Sequence, residues 1–292
     1  MMNNLPKLSF VILHYVNEQD TIDCVNSIIN NINYQNKDII IVDNASPNQS
    51  GIALEQKYED CPFVTVILNE QNLGFAKGNN VGYQYAKYKG EADFIILINN
   101  DTLIKQSNFC DQIIRLYSQT GYAVLGPKII SLIDGLNQNP VPYSLVSTYR
   151  ILRRLCMLIF MYCANLFHMD QHISKDPRKY HTEVSSQGNY QLFGCCLIFS
   201  SIFIQQFDGL YPGTFMYGEE DILKFICESN KLKMLYNDDI EIFHKEGSST
   251  KSSQKKSIKS RQFYYRNAIY SLFQLLLLKK HIKGMKEKRC NL

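Results

Sequence analysis

Apolar and polar positions fall into two repeating patterns along this chain. Short runs that are apolar but for Ser9 and Thr65 occur at Leu8–Leu13, Ile39–Val42, Val64–Leu68 and Phe94–Ile98. Runs of this length that do not alternate read as strands buried on both faces. Between them, apolar residues recur at helical spacing, as at Ile22, Val25, Ile28 and Ile29, with Asp20 or Thr21 placed to cap the first helix. Residues 51–59 and a segment running through Tyr88 read as two further helices. The order βαβαβαβ predicts a mostly parallel sheet with right-handed crossovers. Further on, the pattern predicts helices over 103–119, 150–169 and 263–278 and one entered through 219–221. It also predicts strands over 123–128, 193–199, 233–236 and 240–244, and a loop over 134–144. Residues 170–190 and 245–260 are polar and are expected to be flexible.

Three of the strands end alike. The first runs into His14-Tyr15-Val16-Asn17, the second into Asp43-Asn44-Ala45-Ser46 and the fourth into Asn99-Asn100-Asp101. An Asx turn closing a buried strand accounts for any one of these clusters taken alone. Their repetition at one sheet edge points to more than turn chemistry, because ligands of open α/β sheets bind beyond the carboxyl ends of the strands. A carboxylate delivered there can hold a divalent cation against a diphosphate. Farther along, Glu219-Glu220-Asp221 enters a helix at the end where its dipole favours negative charge.

Composition narrows this picture. With 292 residues and 45% hydrophobic content, the chain is long and apolar enough for one large domain, or one domain with an appendage. Its nine cysteines include no C-x-x-C pair, which suggests reduced thiols in a cytoplasm. No signal peptide is evident, since Met1 to Lys7 is polar and the next apolar run breaks at His14. The net charge of +4 hides an asymmetry: residues 245–292 carry 13 Lys+Arg against 2 Asp+Glu, and the remainder 18 against 25. A basic tail on an acidic body implies an anionic partner surface, membrane or nucleic acid. The apolar core Leu155–Ala164, flanked by Arg150, Arg153 and Arg154, is shorter than the roughly 20 residues that cross a bilayer. It suits a buried helix and a helix in the membrane interface equally well.

In this order the motifs resemble the family 2 glycosyltransferases with a GT-A fold, over roughly residues 8–270. The chain looks most like the bacterial rhamnosyltransferase-type enzymes of O-antigen and capsular polysaccharide synthesis. Val11-Ile12-Leu13-His14-Tyr15 to Asn17 resembles the family's first strand and nucleotide-facing turn. Ile41-Val42-Asp43-Asn44-Ala45-Ser46 resembles its "VDNxS" motif, whose Asp contacts the base. Asn72-Leu73-Gly74-Phe75 with Gly78-Asn79-Asn80-Val81-Gly82 is similar to the "NxGFaxGnNxG" block, the most specific of the signals. Asn99-Asn100-Asp101 matches the DxD-type metal site, with only its last position acidic. Met216-Tyr217-Gly218-Glu219-Glu220-Asp221 resembles the motif bearing the catalytic base, and His244 with Gly247-Ser248-Ser249 resembles "HxxGxS".

The resemblance implies an α/β, Rossmann-like, mostly parallel central sheet flanked by helices. A glycosyltransferase domain would occupy 1–245, with its nucleotide-binding part about 1–102 and its acceptor part about 103–245. A basic linker and amphipathic helical tail would follow over 246–292. It implies a nucleotide-sugar site made by Tyr15, Asn17, Asp43, Asn44, Asn72, Gly74, Phe75, Gly78, Asn79, Asn99, Asn100 and Asp101. Mg²⁺ or Mn²⁺ would be held by Asp101 and His244. Aligned on Leu223 the base falls on Glu220, with Asp221 as the alternative. The implied reaction is inverting transfer from a UDP- or dTDP-sugar to a saccharide or polyprenyl-diphosphate-linked acceptor, on the inner face of a cytoplasmic membrane. Two rival classes fit less well. A nucleotidyltransferase needs a basic cluster near its N-terminal loop, and residues 8–24 contain no Lys or Arg. A nucleic-acid-binding role for the tail leaves the strand-end acids unexplained, since carboxylates repel phosphates.

Overall fold

In the computed structural model, residues 5–145, 147–170, 189–246 and 257–290 are described, the side chains of 282–290 excepted. The expectations placed on 171–188 and on Gly247-Ser248-Ser249, and the basic side chains at 251–256 and 283–289, lie outside the described residues. The chain begins β1 (Leu8–His14), α1 (Glu18–Asn31), β2 (Lys37–Asp43), α2 (Ser50–Tyr58), β3 (Val64–Leu68), α3 (Gly74–Tyr88) and β4 (Phe94–Asn99). This is the alternation the apolar runs predict.

The second half follows as β5 (Thr102–Leu103), α4 (Phe109–Thr120), β6 (Val124–Ser131), β7 (Val141–Pro142) and α5 (Thr148–Leu166). Then come β8 (Tyr190–Gln191), β9 (Cys196–Ser200), α6 (Ser201–Ile204), α7 (Glu219–Ser229), β10 (Met234–His244) and α8 (Ile258–Cys290). One eight-stranded sheet has the order β3-β2-β1-β4-β9-β6-β10-β5, and β7 pairs with β8 apart from it. Strands β3, β2, β1 and β4 run parallel; β9 is antiparallel to both its neighbours, and β5 is antiparallel to β10.

Inner strands carry no polar face because both faces are covered. Leu8, Phe10, Ile12, Ile96 and Ile98 pack on one side with Ile28 of α1 and Phe109 of α4. Val11, Ile40, Val42, Ile95 and Leu97 pack on the other with Tyr83 of α3 and Phe199 of β9. Residues one apart along each strand thus feed opposite cores. A third cluster joins Ile151, Leu155 and Leu158 of α5 to Ile222 of α7 and to Tyr265, Ala268, Leu272 and Leu275 of α8.

Several boundaries differ from the sequence expectation, each for a local reason. Asn17, not Asp20 or Thr21, caps α1, its side-chain oxygen accepting the Asp20 amide at 3.3 Å. The helix expected from 103 starts at Phe109, because Thr102 and Leu103 pair with His244 and Phe243. The expected strand over 193–199 is β9 and begins at Cys196. The strands expected at 233–236 and 240–244 are one strand whose register shifts between Asn237 and Glu241, so the polar residues there mark a bulge rather than an end. The 134–144 stretch expected as loop contains β7.

Candidate active site

The parallel strands deliver their last residues to one edge in register. His14 lies level with Asp43, and Leu13 with Asn99. Two residues beyond Asn99, Asp101 comes beside the end of β10, because His244 pairs with Thr102. The Asp101 carbonyl also accepts the Lys245 amide at 2.8 Å. Lys245 then turns back onto α1, with Asp20 at 3.1 Å and Asp23 at 2.5 Å.

The central pair is Asp101 and His244, with Oδ2 to Nε2 at 3.2 Å. The tautomer of His244 follows from its other side. Gln138 Nε2 donates to the buried Glu246 carboxylate at 2.8 Å, which leaves Gln138 Oε1 to accept from His244 Nδ1 at 2.7 Å. Ser131 also donates its hydroxyl to Glu246. With the Nδ1 proton so fixed, neutral His244 turns the Nε2 lone pair toward a carboxylate. Two acceptors facing one another require a cation between or beside them, a proton or a metal. Their separation also suits neighbouring positions of an octahedral ion with bonds of about 2.1 Å. The donor set therefore fits a divalent cation. Among the described residues, no cluster of three or more His, Cys, Asp or Glu is placed to hold a metal, so further positions would fall to ligand oxygens and water. Gln138 carried no sequence signal, since it lies 106 residues from His244 along the chain, and Glu246 bears on His244 through it.

Asp43 is buried and already engaged. Its carboxylate accepts the Ser46 amide at 3.2 Å and the Ser46 hydroxyl at 2.5 Å. His14 beside it is fully buried between the hydroxyls of Thr21 and Ser50, at 2.7 and 2.8 Å, and burial holds its pKa below the usual imidazole value. It is thus a neutral core imidazole. Tyr15 stands exposed at the mouth of this edge. Asn100 Nδ2 donates to Thr21 Oγ1 at 3.0 Å, tying the β4 exit to α1.

Asn44 and the 72–80 block knit the adjoining loop together. Asn44 donates to Asn72 Oδ1 at 3.0 Å and to the Gly74 carbonyl at 3.1 Å, and accepts from the Leu73 amide at 2.9 Å. Gly74 has φ +80°, and a Cβ there would sit 2.2 Å from the Phe215 carbonyl, which accepts the Phe75 amide at 2.7 Å. Only glycine meets both demands. Asn79 donates to the Phe75 carbonyl at 2.9 Å. Asn80 clamps Leu210 through both its amide and its carbonyl, at 2.7 Å each. Gly78 packs its backbone between Leu13 and Asn44. The residue 72–80 block thereby fixes the 210–215 segment that leads to the acidic motif.

At the start of α7 the three carboxylates diverge. Glu220 reaches Gly194, whose amide donates to Oε1 at 3.3 Å and where a Cβ would lie 2.6 Å from that oxygen. Gly194 precedes Cys195, whose carbonyl holds the Asn99 amide at 2.9 Å, and follows Phe193, whose ring lies 6.1 Å from that of His244. Glu220 is thereby tied to the Phe193–Cys195 segment that runs beside His244 and Asn99. Burial raises its pKa, opposed by the Gly194 amide and Arg154. Asp221 turns instead into a cavity of about 40 Å³ between α5, α7 and α8, lined by Arg154, Tyr217, Tyr264 and Ser271. Burial lifts its pKa to about 6, against the pull of Arg154.

Glu219 is buried, and its Oε1 finds no hydrogen-bond partner among the described residues. Burial, then the neighbouring Glu220 charge, pushes its pKa to about 7 from an ordinary 4.5. The folded chain therefore holds this proton where the unfolded chain has lost it. The cost is absent below pH 4.5 and complete once the pH passes 7. Glu219→Gln is expected to stabilise the fold at pH 8 by up to about 2–3 kcal/mol. Denaturant titrations at pH 8 and pH 4 check this: the gain fades at the lower pH, and an equal gain at both contradicts the assignment.

A family model described as glycosyl transferase family 2 matches residues 9–176, more than half of the chain. The chain is 25% identical over 142 residues to the low-salt glycan biosynthesis hexosyltransferase Agl10 of Haloferax volcanii, covering 47% of this chain and 42% of that protein. It is 30% identical over 105 residues to poly-beta-1,6-N-acetyl-D-glucosamine synthase of Staphylococcus aureus, covering 36% of this chain and 24% of that one. The match thus spans less than half the length of these curated relatives. Similar solved structures include Staphylococcus aureus TarS 1-349 in complex with UDP-GlcNAc, with TM-score 0.53 and 15% identity over 87% of this chain and 61% of that chain. Another is GalNAc-T7 with UDP, GalNAc and Mn²⁺, with TM-score 0.58 and 15% identity over 83% of this chain and 44% of that chain. At such identities the likeness is one of fold, and that fold is GT-A.

Proposed function

The chain belongs to glycosyl transferase family 2, and on that premise we propose that it is an inverting, metal-dependent hexosyltransferase. It takes a sugar from a UDP- or dTDP-sugar to a hydroxyl of a saccharide acceptor in polysaccharide synthesis of the capsule or O-antigen kind. The acceptor is polyprenyl-diphosphate-linked, and the enzyme works at the inner face of a cytoplasmic membrane. The nucleotide is held by residues within 1–102, with Tyr15, Asn17, Asp43 and Asn100 at its edge, and the acceptor by residues within 103–245. The observation that supports this reading is the Asp101–His244 pair at 3.2 Å, with Glu220 hydrogen-bonded to Gly194 of the neighbouring segment.

Asp101 and His244 would hold a Mg²⁺ or Mn²⁺ ion, whose chemistry there is neutralising charge on the departing diphosphate. Imidazole nitrogen favours Mn²⁺ of the two. Glu220 accepts the proton of the acceptor hydroxyl as that oxygen attacks the anomeric carbon. Its raised pKa brings it closer to the working pH of a general base. Attack from the face opposite the leaving group inverts the centre. Asp221, turned into the helical cavity, is the second candidate and is placed less well. The fixed Nδ1 proton of His244 keeps Nε2 free to ligate.

Two measurements test this. Screening UDP-, dTDP- and GDP-sugars for Mn²⁺-dependent thermal stabilisation should single out one donor; no stabilisation by any of them speaks against the reading. Gln138→Leu removes the acceptor of the His244 Nδ1 proton and is expected to raise the Mn²⁺ concentration for half-maximal transfer about 10–100-fold. An unchanged midpoint would show that Gln138 does not orient His244.

A further inference from the structure

Helix α5 is apolar on both sides. Its inner side meets α7 and α8, yet Leu152, Met157, Ile159, Phe160, Leu166 and Phe167 on or just past it remain 45–74% exposed. A helix apolar all round suits an apolar surrounding rather than water. On α8 the exposed residues Tyr270, Phe273 and Leu277 follow one another at helical spacing and form one stripe, bracketed by exposed Arg266 and Lys280. Charge on the two helices is one-sided. Thr148–Leu166 holds three arginines and no carboxylate, and Ile258–Cys290 has Glu287 as its sole acid.

We propose that the outer faces of α5 and α8 dock on an anionic lipid bilayer. The aromatic and aliphatic side chains enter the headgroup boundary, and Arg153, Arg266 and Lys280 meet lipid phosphates. Among the described residues no helix is long and apolar enough to cross a membrane, so the helices lie in the interface plane. A second copy of the chain is a poorer occupant, because a two-fold contact would set these cations against one another with no acid among the described residues of either face. The proposal rests on the lipid-linked acceptor for its purpose, while the docking itself requires no turnover. Arg154, on the inner side of α5 and close to Asp221, places the docked helix directly behind the acidic motif.

Flotation of the full chain with phosphatidylglycerol–phosphatidylethanolamine vesicles, at low and high salt, tests this against phosphatidylcholine vesicles. The parent should float with the anionic vesicles and keep part of its binding at high salt, as apolar insertion requires. A triple variant, Phe160→Ser, Phe167→Ser and Phe273→Ser, should partition at least about tenfold less, with an unchanged thermal midpoint. Equal flotation of parent and variant overturns the proposal, as does a parent that fails to float. So does a parent that elutes as a dimer which the variant turns into a monomer, since the face then covers a second copy. Nucleotide-sugar turnover is measured separately with a soluble acceptor; its failure beside intact flotation would sink the transferase reading and leave the docking face standing.

Discussion

Asp101→Asn is expected to lower kcat/KM for sugar transfer by about 10³-fold or more, close to 4 kcal/mol of transition-state stabilisation. The substitution keeps the shape of the side chain and removes its charge. It also gives His244 Nε2 an amide donor in place of a carboxylate 3.2 Å away, so the folded state keeps its contact. The loss falls on the cation site and hence on the leaving group, where charge develops as the sugar departs. A transfer assay with saturating Mn²⁺, beside a thermal melt, separates the two effects. A parent-like melting point with transfer near background is the expected pair of results. Transfer within a few-fold of the parent would remove Asp101 from the mechanism.

Glu220→Gln is expected to lower kcat by about 10²–10⁴-fold with little change in KM for the donor, since a general base acts only as the proton moves. Glutamine can still accept from the Gly194 amide, so the α7 entrance keeps its anchor. Asp221→Asn should cost far less, because Asp221 faces the cavity shared with Arg154 and Tyr264. The acid limb of the pH–rate profile should lie above the usual carboxylate range, as the burial of Glu220 raises its pKa. Loss of the proton is what activates this group, so transfer rises with pH through that limb. The reverse ranking of the two variants would move the base to Asp221.

The first half of the fold was readable because β1, β2 and β4 lie inside the sheet and carry apolar runs broken only by Ser9. The edge at Asp43 and Asp101 was readable for the same reason: each polar cluster interrupts such a run abruptly. What escaped depends on pairing between distant segments. Asn237, Asp238 and Asp239 look like a turn and lie within one strand, because β6 pairs with Asn237 and resumes pairing at Glu241 after a bulge. Thr102–Leu103 looks like the start of a helix until β10 arrives to pair with it. The Glu246–Gln138–His244 relay joins a loop to a strand end, and no spacing rule reaches across it. Asn80 sits inside the most specific motif, yet its partner Leu210 lies 130 residues away. The three neighbouring carboxylates 219–221 are alike in sequence, and only their different surroundings, Gly194 for Glu220 and the helical cavity for Asp221, tell them apart.

The most direct test is the spectrum of Mn²⁺ bound in the presence of nucleoside diphosphate. Electron paramagnetic resonance should report one ion whose binding needs both protein and nucleotide, with coupling to a single imidazole nitrogen that disappears in His244→Ala, and no tight binding in Asp101→Asn. An ion bound equally well by both variants, or one with no nitrogen ligand in the parent, would contradict the account.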